Sequence, residues 1–334
     1  MKRLSVTVIG AGVAGLCCAL ELAERGARVE IVDRGRALGD GSCSWYAGGM
    51  LAPWCERATT DAIVATLGES SIDWWRQRFP ATLRNGSLVV AQSRDAADLA
   101  RFAQRTERFE WLDGEGIAAL EPDLAGRFRK ALFFADEGHL DPRLALAALV
   151  ARLAERGVEI RYGTELSPAT APGDAVVDCR GLAARDSLPD LRGVRGEMVV
   201  VRCRDVALAR PVRMLHPRIP LYIVPRDDGL FMIGATMVES ERRGPATVRS
   251  TVELLNAAYA LHPAFGEAEI VELGADLRPA FADNLPTVRR QGRVILANGL
   301  YRHGFLLGPV LARQVAETIL TETDDAGIPE RRRA

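Results

Sequence analysis

The chain is short of several things that would have pointed elsewhere. Among 43 basic residues lysine occurs only as Lys2 and Lys130, and no stretch interleaves arginine with aromatics into the cationic stripe that nucleic acid requires. A net charge of −1 offers no long-range pull toward a polyanion or an anionic lipid surface. No run of about 18 apolar residues is present to cross a bilayer, so neither a nucleic-acid nor a membrane partner is expected. The six cysteines (Cys17, Cys18, Cys43, Cys55, Cys179 and Cys203) form no CxxC pair and no metal-like spacing with the four histidines. No metal site is expected, and the thiols read as reduced and mostly structural in a cytoplasmic protein. No Ser/His/Asp set is evident either, which leaves the difficult chemistry to a cofactor.

What is present begins at once. An apolar run at residues 4–9 leads into Gly10-Ala11-Gly12-Val13-Ala14-Gly15, a helical stretch at 16–25, a second apolar run at 29–32, and Asp33. Strand, glycine turn, helix, strand and terminal acid predict a dinucleotide-binding βαβ unit. Gly10 makes the tight turn, Gly12 lets backbone meet a pyrophosphate, and Gly15 lets the helix lie close to the strand. The helix N-terminus offers unpaired N–H groups to the phosphates, so no lysine is needed there. Asp33 stands about 20 residues on, where a carboxylate reaches ribose hydroxyls and disfavours a 2′-phosphate. Lys2 and Arg3 before an apolar run superficially suggest a secretion signal. The glycines that interrupt the run, and its continuation to Asp33 as folded structure, argue against export.

Beyond Asp33 the chain spends some twenty residues on turn-forming types, with Ser42 and Ser44 as hydroxyl partners and Gly48-Gly49 open to a flat ring. On composition alone a cofactor loop and a surface loop are equally good readings. Residues 61–79 carry an amphipathic helical pattern whose Trp74 and Trp75 read as core. A strand up to residue 91, a helix at 96–106 and a short one at 117–120 follow. Asp141-Pro142 starts a helix over 143–156, and strands at 158–162 and 175–179 resume the α/β alternation, the second ending in Arg180-Gly181 near the diphosphate. From residue 197 the texture changes to short strands; 221–225 and 230–234 flank Asp227-Asp228-Gly229 as a hairpin, with a helix at 247–260 and a strand at 270–278. A strand at 293–297, a glycine-flanked turn at 298–305 and a helix at 306–320 make a second strand–turn–helix site. The charged tail reads as frayed.

A dinucleotide unit at one end of the chain and a glycine-flanked turn into a helix at the other are hard to explain with NAD and natural for FAD. The first site takes the diphosphate, and the second helix points at the isoalloxazine. The fold class expected is α/β with an α+β substrate domain. A Rossmann-like FAD-binding domain is drawn from residues 1–80, 136–195 and 281–325, an inserted antiparallel-sheet substrate domain from 81–135 and 196–280, and a flexible tail from 326–334.

In order and spacing, Gly10 to Gly15, Gly48-Gly49-Met50-Leu51-Ala52-Pro53, Tyr222-Ile223-Val224-Pro225-Arg226, Gly234-Ala235-Thr236-Met237, Leu277-Arg278-Pro279 and Tyr301-Arg302-His303-Gly304 resemble the D-amino-acid oxidase and glycine oxidase group of flavoproteins. The resemblance covers nearly the whole chain and is strongest to the thiamine-pathway glycine oxidases. It implies non-covalent FAD held by Gly10, Gly12, Val13, Ala14, Gly15, Asp33, Arg34, Ser42, Ser44, Gly48, Gly49, Met50, Leu166, Cys179, Gly181, Gly299, Arg302, His303, Gly304, Phe305 and Leu306. It further implies that Arg278 grips the substrate carboxylate, that the Tyr222 hydroxyl assists, that Met237 lines the small side-chain pocket, and that Arg302 lies near flavin and substrate. The chemistry agrees for Arg278, since a planar guanidinium holds a carboxylate by two parallel hydrogen bonds.

Plainer readings stand beside these. Arg278 could form a structural ion pair, Tyr222 could be a half-buried strand aromatic, Met237 could be core, and His303 could contribute backbone alone. Asp33 replaces the more usual glutamate, and Cys43 with Cys55 leaves a redox or oligomer role open. The activity implied is oxidative deamination of glycine or another small amino acid or amine, with oxygen as acceptor, by a homotetramer or dimer. Its rivals are a D-amino-acid dehydrogenase serving a quinone, an NAD-dependent dehydrogenase, and a non-catalytic flavin-binding protein.

Overall fold

A computed structural model describes residues 3–216 and 221–321. The tail expected over 326–334, and Lys2, lie outside the described residues. Two sheets organise the chain. The first runs, in spatial order, Thr287–Gln291, Val294–Asn298, Ala175–Asp178, Ser5–Ile9, Arg28–Val32 and Ile160–Arg161. All neighbours are parallel except the Thr287–Gln291 edge. Ser5–Ile9 sits centrally, and its apolar run is what a strand covered on both faces needs.

The helices Val13–Glu24, Pro142–Glu155 and Gly304–Leu320 share one core with this sheet. Close packing of the first helix depends on two glycines. Gly10 has φ +108°, and a Cβ there would stand 2.6 Å from the Cys179 carbonyl oxygen; a Cβ on Gly15 would stand 1.8 Å from the Gly10 oxygen. The first and last helices also start side by side, since a Cβ on Gly304 would lie 3.2 Å from Val13 Cγ1. Trp75 is fully buried in this core, and its Nε1 donates to the Phe305 carbonyl at 2.7 Å.

The second sheet has eight strands, in the order Glu269–Ala280, Arg192–Arg202, Leu230–Gly234, Leu221–Pro225, Val212–Leu215, Ser87–Ala91, Lys130–Phe134 and Glu110–Asp113. It departs from the antiparallel expectation at one place: Val212–Leu215 runs parallel to Ser87–Ala91. That pair joins two stretches of the sheet far apart in sequence, so no hairpin turn dictates its sense. The helix Val248–Leu261, capped by the Thr247 side chain, covers one face.

Local readings shift at their edges. The helical pattern over 61–79 divides into Ala62–Gly68 and Ser71–Arg78. The 158–162 strand contracts to Ile160–Arg161, and the strand read from residue 197 begins at Arg192. Asp141 caps Pro142–Glu155 by accepting from the Arg143 and Leu144 N–H groups. Among the described residues no helix is long and apolar enough to cross a membrane.

Candidate active site

A cavity of about 1100 Å³ opens between the two sheets, slightly beyond the roughly 300–1,000 Å³ usual for small-molecule sites. One end is made of backbone. Gly10, Gly12, Val13 and Ala14 line it together with Asp33, Ser42 and Ser44. The Asp33 carboxylate accepts from the Ala11 N–H at 2.5 Å and the Gly35 N–H at 2.6 Å, so it pins the glycine turn to the end of the second strand. Ser44 Oγ accepts from the Val13 N–H at 3.2 Å, at the mouth of a helix whose N-cap, Gly12, has no side chain to offer. His303, at the start of the last helix, gives no side-chain cap either. Two adjoining helix N-termini therefore face one space, where the first-turn N–H groups other than that of Val13 have no intrahelical acceptor.

The other end is made of side chains. Arg278, on the edge strand Glu269–Ala280, donates through Nη1 to the Thr236 carbonyl at 3.0 Å. Its remaining N–H groups find no acceptor among the described residues. Tyr222 comes from Leu221–Pro225, and its ring is what Gly48 abuts: a Cβ on Gly48 would lie 2.7 Å from it. Burial raises the Tyr222 phenol, against the opposing pull of Arg278, so it stays a neutral donor. His303 is buried, and burial outweighs the pull of Glu56 to bring its imidazole down to about 4. Its Nε2 has no hydrogen-bond partner among the described residues.

Every residue expected at the cofactor or substrate lines this cavity except Gly15. Gly15 acts one step back, in the contact between helix and strand. Leu166, Cys179, Gly181, Gly299, Phe305 and Leu306 lie along the wall, as do Arg34, Gly49 and Met50. Met237 is half exposed, and its Sδ accepts from Arg302 Nη1 at 3.2 Å. Arg302 is less free than expected, because Nη2 is also engaged by the Glu56 carboxylate and by Thr59 Oγ1, the latter at 2.5 Å. Cys43 lines the cavity and burial pushes its thiol up to about 12, whereas Cys55 is buried; all six cysteines are free thiols.

Two residues of the site escaped the sequence reading. Glu56, on the short helix Pro53–Arg57, is shared by Arg302 and by Arg213, whose Nη2 lies 2.7 Å from Glu56 Oε1. Burial alone would raise the Glu56 carboxyl, but the Arg302 and Arg213 guanidiniums outweigh it and hold it at about 2. Arg213 stands inside the apolar run Val212-Arg213-Met214-Leu215, and a charge within a buried strand was the one signal available for it.

The cavity fits FAD on the chain's own features. Two helix N-termini whose own N-cap residues give no side-chain cap meet at a turn where glycine lets backbone come close, and His303 Nε2, without a partner among the described residues, lies inside the same wall. Comparison with known proteins agrees. Residues 5–318 match the family model for DAO, FAD-dependent oxidoreductases. A protein of Rhizobium etli named as the thiamine biosynthesis oxidoreductase ThiO is 55% identical over 330 residues, 98% of this chain and 99% of its own. Glycine oxidase of Bacillus licheniformis is 26% identical over 376 residues, 100% of this chain and 99% of its own. The crystal structure of glycine oxidase from Geobacillus kaustophilus superposes with a TM-score of 0.79 at 26% identity, over 95% of this chain and 94% of that one. Because the match takes in both sheets and both helix N-termini, the chain belongs to the DAO family of FAD-dependent oxidoreductases.

Proposed function

We propose that the protein oxidises glycine, or another small amino acid or amine, to the imine. The observation that carries this is the shared cavity: Arg278 and Tyr222 face the same space as the two helix N-termini. The open N–H groups of Arg278 receive the substrate carboxylate as a bidentate pair, and the Tyr222 hydroxyl donates a further hydrogen bond. That grip fixes the α-carbon against the cofactor wall, so the chain contributes alignment rather than a side-chain base. His303 is neutral near pH 7 and takes no proton there. FAD held there would supply the two-electron acceptor for hydride from the α-carbon, with oxygen as the final acceptor and hydrogen peroxide as its product. The imine hydrolyses to glyoxylate and ammonia or passes to thiazole formation.

Relatives named as glycine oxidases, and the Rhizobium etli protein named for thiamine biosynthesis, support the reading. It includes a cytoplasmic location and a homo-oligomer. Anaerobic mixing of the yellow holoenzyme with glycine is the test: the flavin absorbance bleaches. If glycine, sarcosine and small D-amino acids all leave it yellow, the proposal fails.

A further inference from the structure

Glu56 is an awkward neighbour for an amino acid. It lines the cavity with Arg278 and Tyr222, where a lone carboxylate would repel the substrate carboxylate and stabilise the ammonium form of the amine. An ammonium has its lone pair tied up by the proton and cannot drive hydride loss. The chain meets Glu56 with two cations. Arg302 takes Oε2, and Arg213, buried on the strand Val212–Leu215, takes Oε1 at 2.7 Å.

We propose that Arg213 is a positioning residue that cancels the charge of Glu56, so that the substrate amine is bound in its unprotonated, reactive form. The Glu56 carboxylate, bridged between the two arginines, also fixes the Arg302 guanidinium beside Met237. This rests on the reading that a small amino acid binds against Arg278.

The charges around Glu56 bear it out. Arg302 and His303 face it from the turn before the last helix, Arg213 from its strand, Tyr222 from the next strand, and Glu137 from beneath. The Cys55 thiol beside it is buried, and burial keeps it protonated. Arg278 completes the set through Tyr222 and His303. Burial, opposed by hydrogen bonds from Ser87 and the Cys55 N–H, raises Glu137 to about 8. Tyr222 and His303 are neutral near pH 7 as well, so the charges acting on Tyr222 are three guanidiniums, Arg278, Arg213 and Arg302, against the carboxylate of Glu56; of the other carboxyls on the wall, Glu197 is paired with Arg195 and Asp276 is raised by burial. A bound substrate carboxylate leaves the cluster positive, and a positive surrounding drives the ammonium proton out to solvent.

The test is anaerobic flavin reduction by glycine, followed as a function of pH in the holoenzyme. Arg213→Met is expected to move the acid limb upward by about one pH unit, the effect of one charge at about 10 Å in an effective dielectric of about 20. Arg213→Lys, which keeps the charge, holds the limb where it is. Glu56→Gln moves it downward, and the double variant Arg213→Met/Glu56→Gln returns it toward the wild-type position. An acid limb that stays put in Arg213→Met, or that rises in Glu56→Gln, overturns the inference. Should Arg213→Met fail to yield holoenzyme, Glu56→Gln decides alone. A wild type that no amino acid bleaches removes the substrate reading and this inference with it, whereas a wild type that bleaches with an unmoved limb removes only the inference.

Discussion

The two ends of the cavity are built on opposite principles. At the nucleotide end the recognising groups are backbone N–H groups of residues adjacent in sequence, held by Asp33 and by the Gly10–Gly15 contact. At the substrate end they are side chains brought together from far apart: Glu56, Arg213, Tyr222, Arg278 and Arg302. Backbone recognition tolerates almost any side chain but depends on the chain's path to a fraction of an ångström. Side-chain recognition lets the path vary but depends on each charge having its partner.

The strongest way to break this comparison is to move the path. In Gly15→Ala the added Cβ would lie 1.8 Å from the Gly10 oxygen, a contact with backbone that neither element can relieve without shifting. Overpacking of this kind costs about 1–3 kcal/mol and more where backbone must move; here we expect loss at the upper end, with FAD lost alongside. The ratio of flavin to protein absorbance after gel filtration measures it. A variant that keeps its full complement of flavin would show that the turn is not what holds the cofactor end together.

Removing a charge at the opposite end should leave that ratio intact. Arg278→Met takes away the guanidinium that the proposed function sets against the substrate carboxylate, and truncating one partner of a buried charge pair costs about 2–5 kcal/mol. The expected result is a fall in kcat/KM for glycine of about thirtyfold or more, with flavin content unchanged. If flavin and activity disappear together, the two ends are one structural unit and the contrast between them is lost.

The same contrast decides what could be read in advance. Strand, glycine turn, helix and Asp33 are contiguous, and their roles follow from spacing, so the βαβ unit was legible residue by residue. The second helix start at Gly304 was legible for the same reason, though its contact with Val13 was not. Arg278 and Tyr222 were found only through the family's motifs. Glu56 and Arg213 belong to no motif and gain meaning only when the short helix Pro53–Arg57 meets the Val212–Leu215 strand, a contact between distant segments that no local pattern encodes. The edge strands Glu110–Asp113 and Thr287–Gln291 were missed because they are polar and mostly exposed; an apolar period is absent where nothing needs to be buried.

Because the substrate end is made of buried ionisable groups, it should also carry a pH signature of its own. Glu56 is held down at about 2, so its contribution is complete above its ordinary value of 4.5 and is lost as pH falls through 2. His303 is held down at about 4 by burial, so stability is lost as pH falls from 6.5 toward 4. Glu137 has the opposite sign. Burial raises it to about 8, the unfolded chain releases the proton from 4.5 upward, and stability declines as pH climbs toward 8. Between 6.5 and 8 Glu56 contributes no slope, and the unfolded-state histidines His303 and His139 contribute a rise that fades within about one unit above 6.5; the decline belongs to Glu137, at most about 1.4 kcal/mol per pH unit for one group. Glu137→Gln has no proton to release, and its amide can still accept from the Cys55 N–H and donate to Ser87 Oγ, the partners Glu137 has now. Urea midpoints over that window should therefore fall in the wild type relative to the variant. Parallel curves would place the pH sensitivity elsewhere and make the substrate end no more sensitive to protons than the backbone cradle it faces.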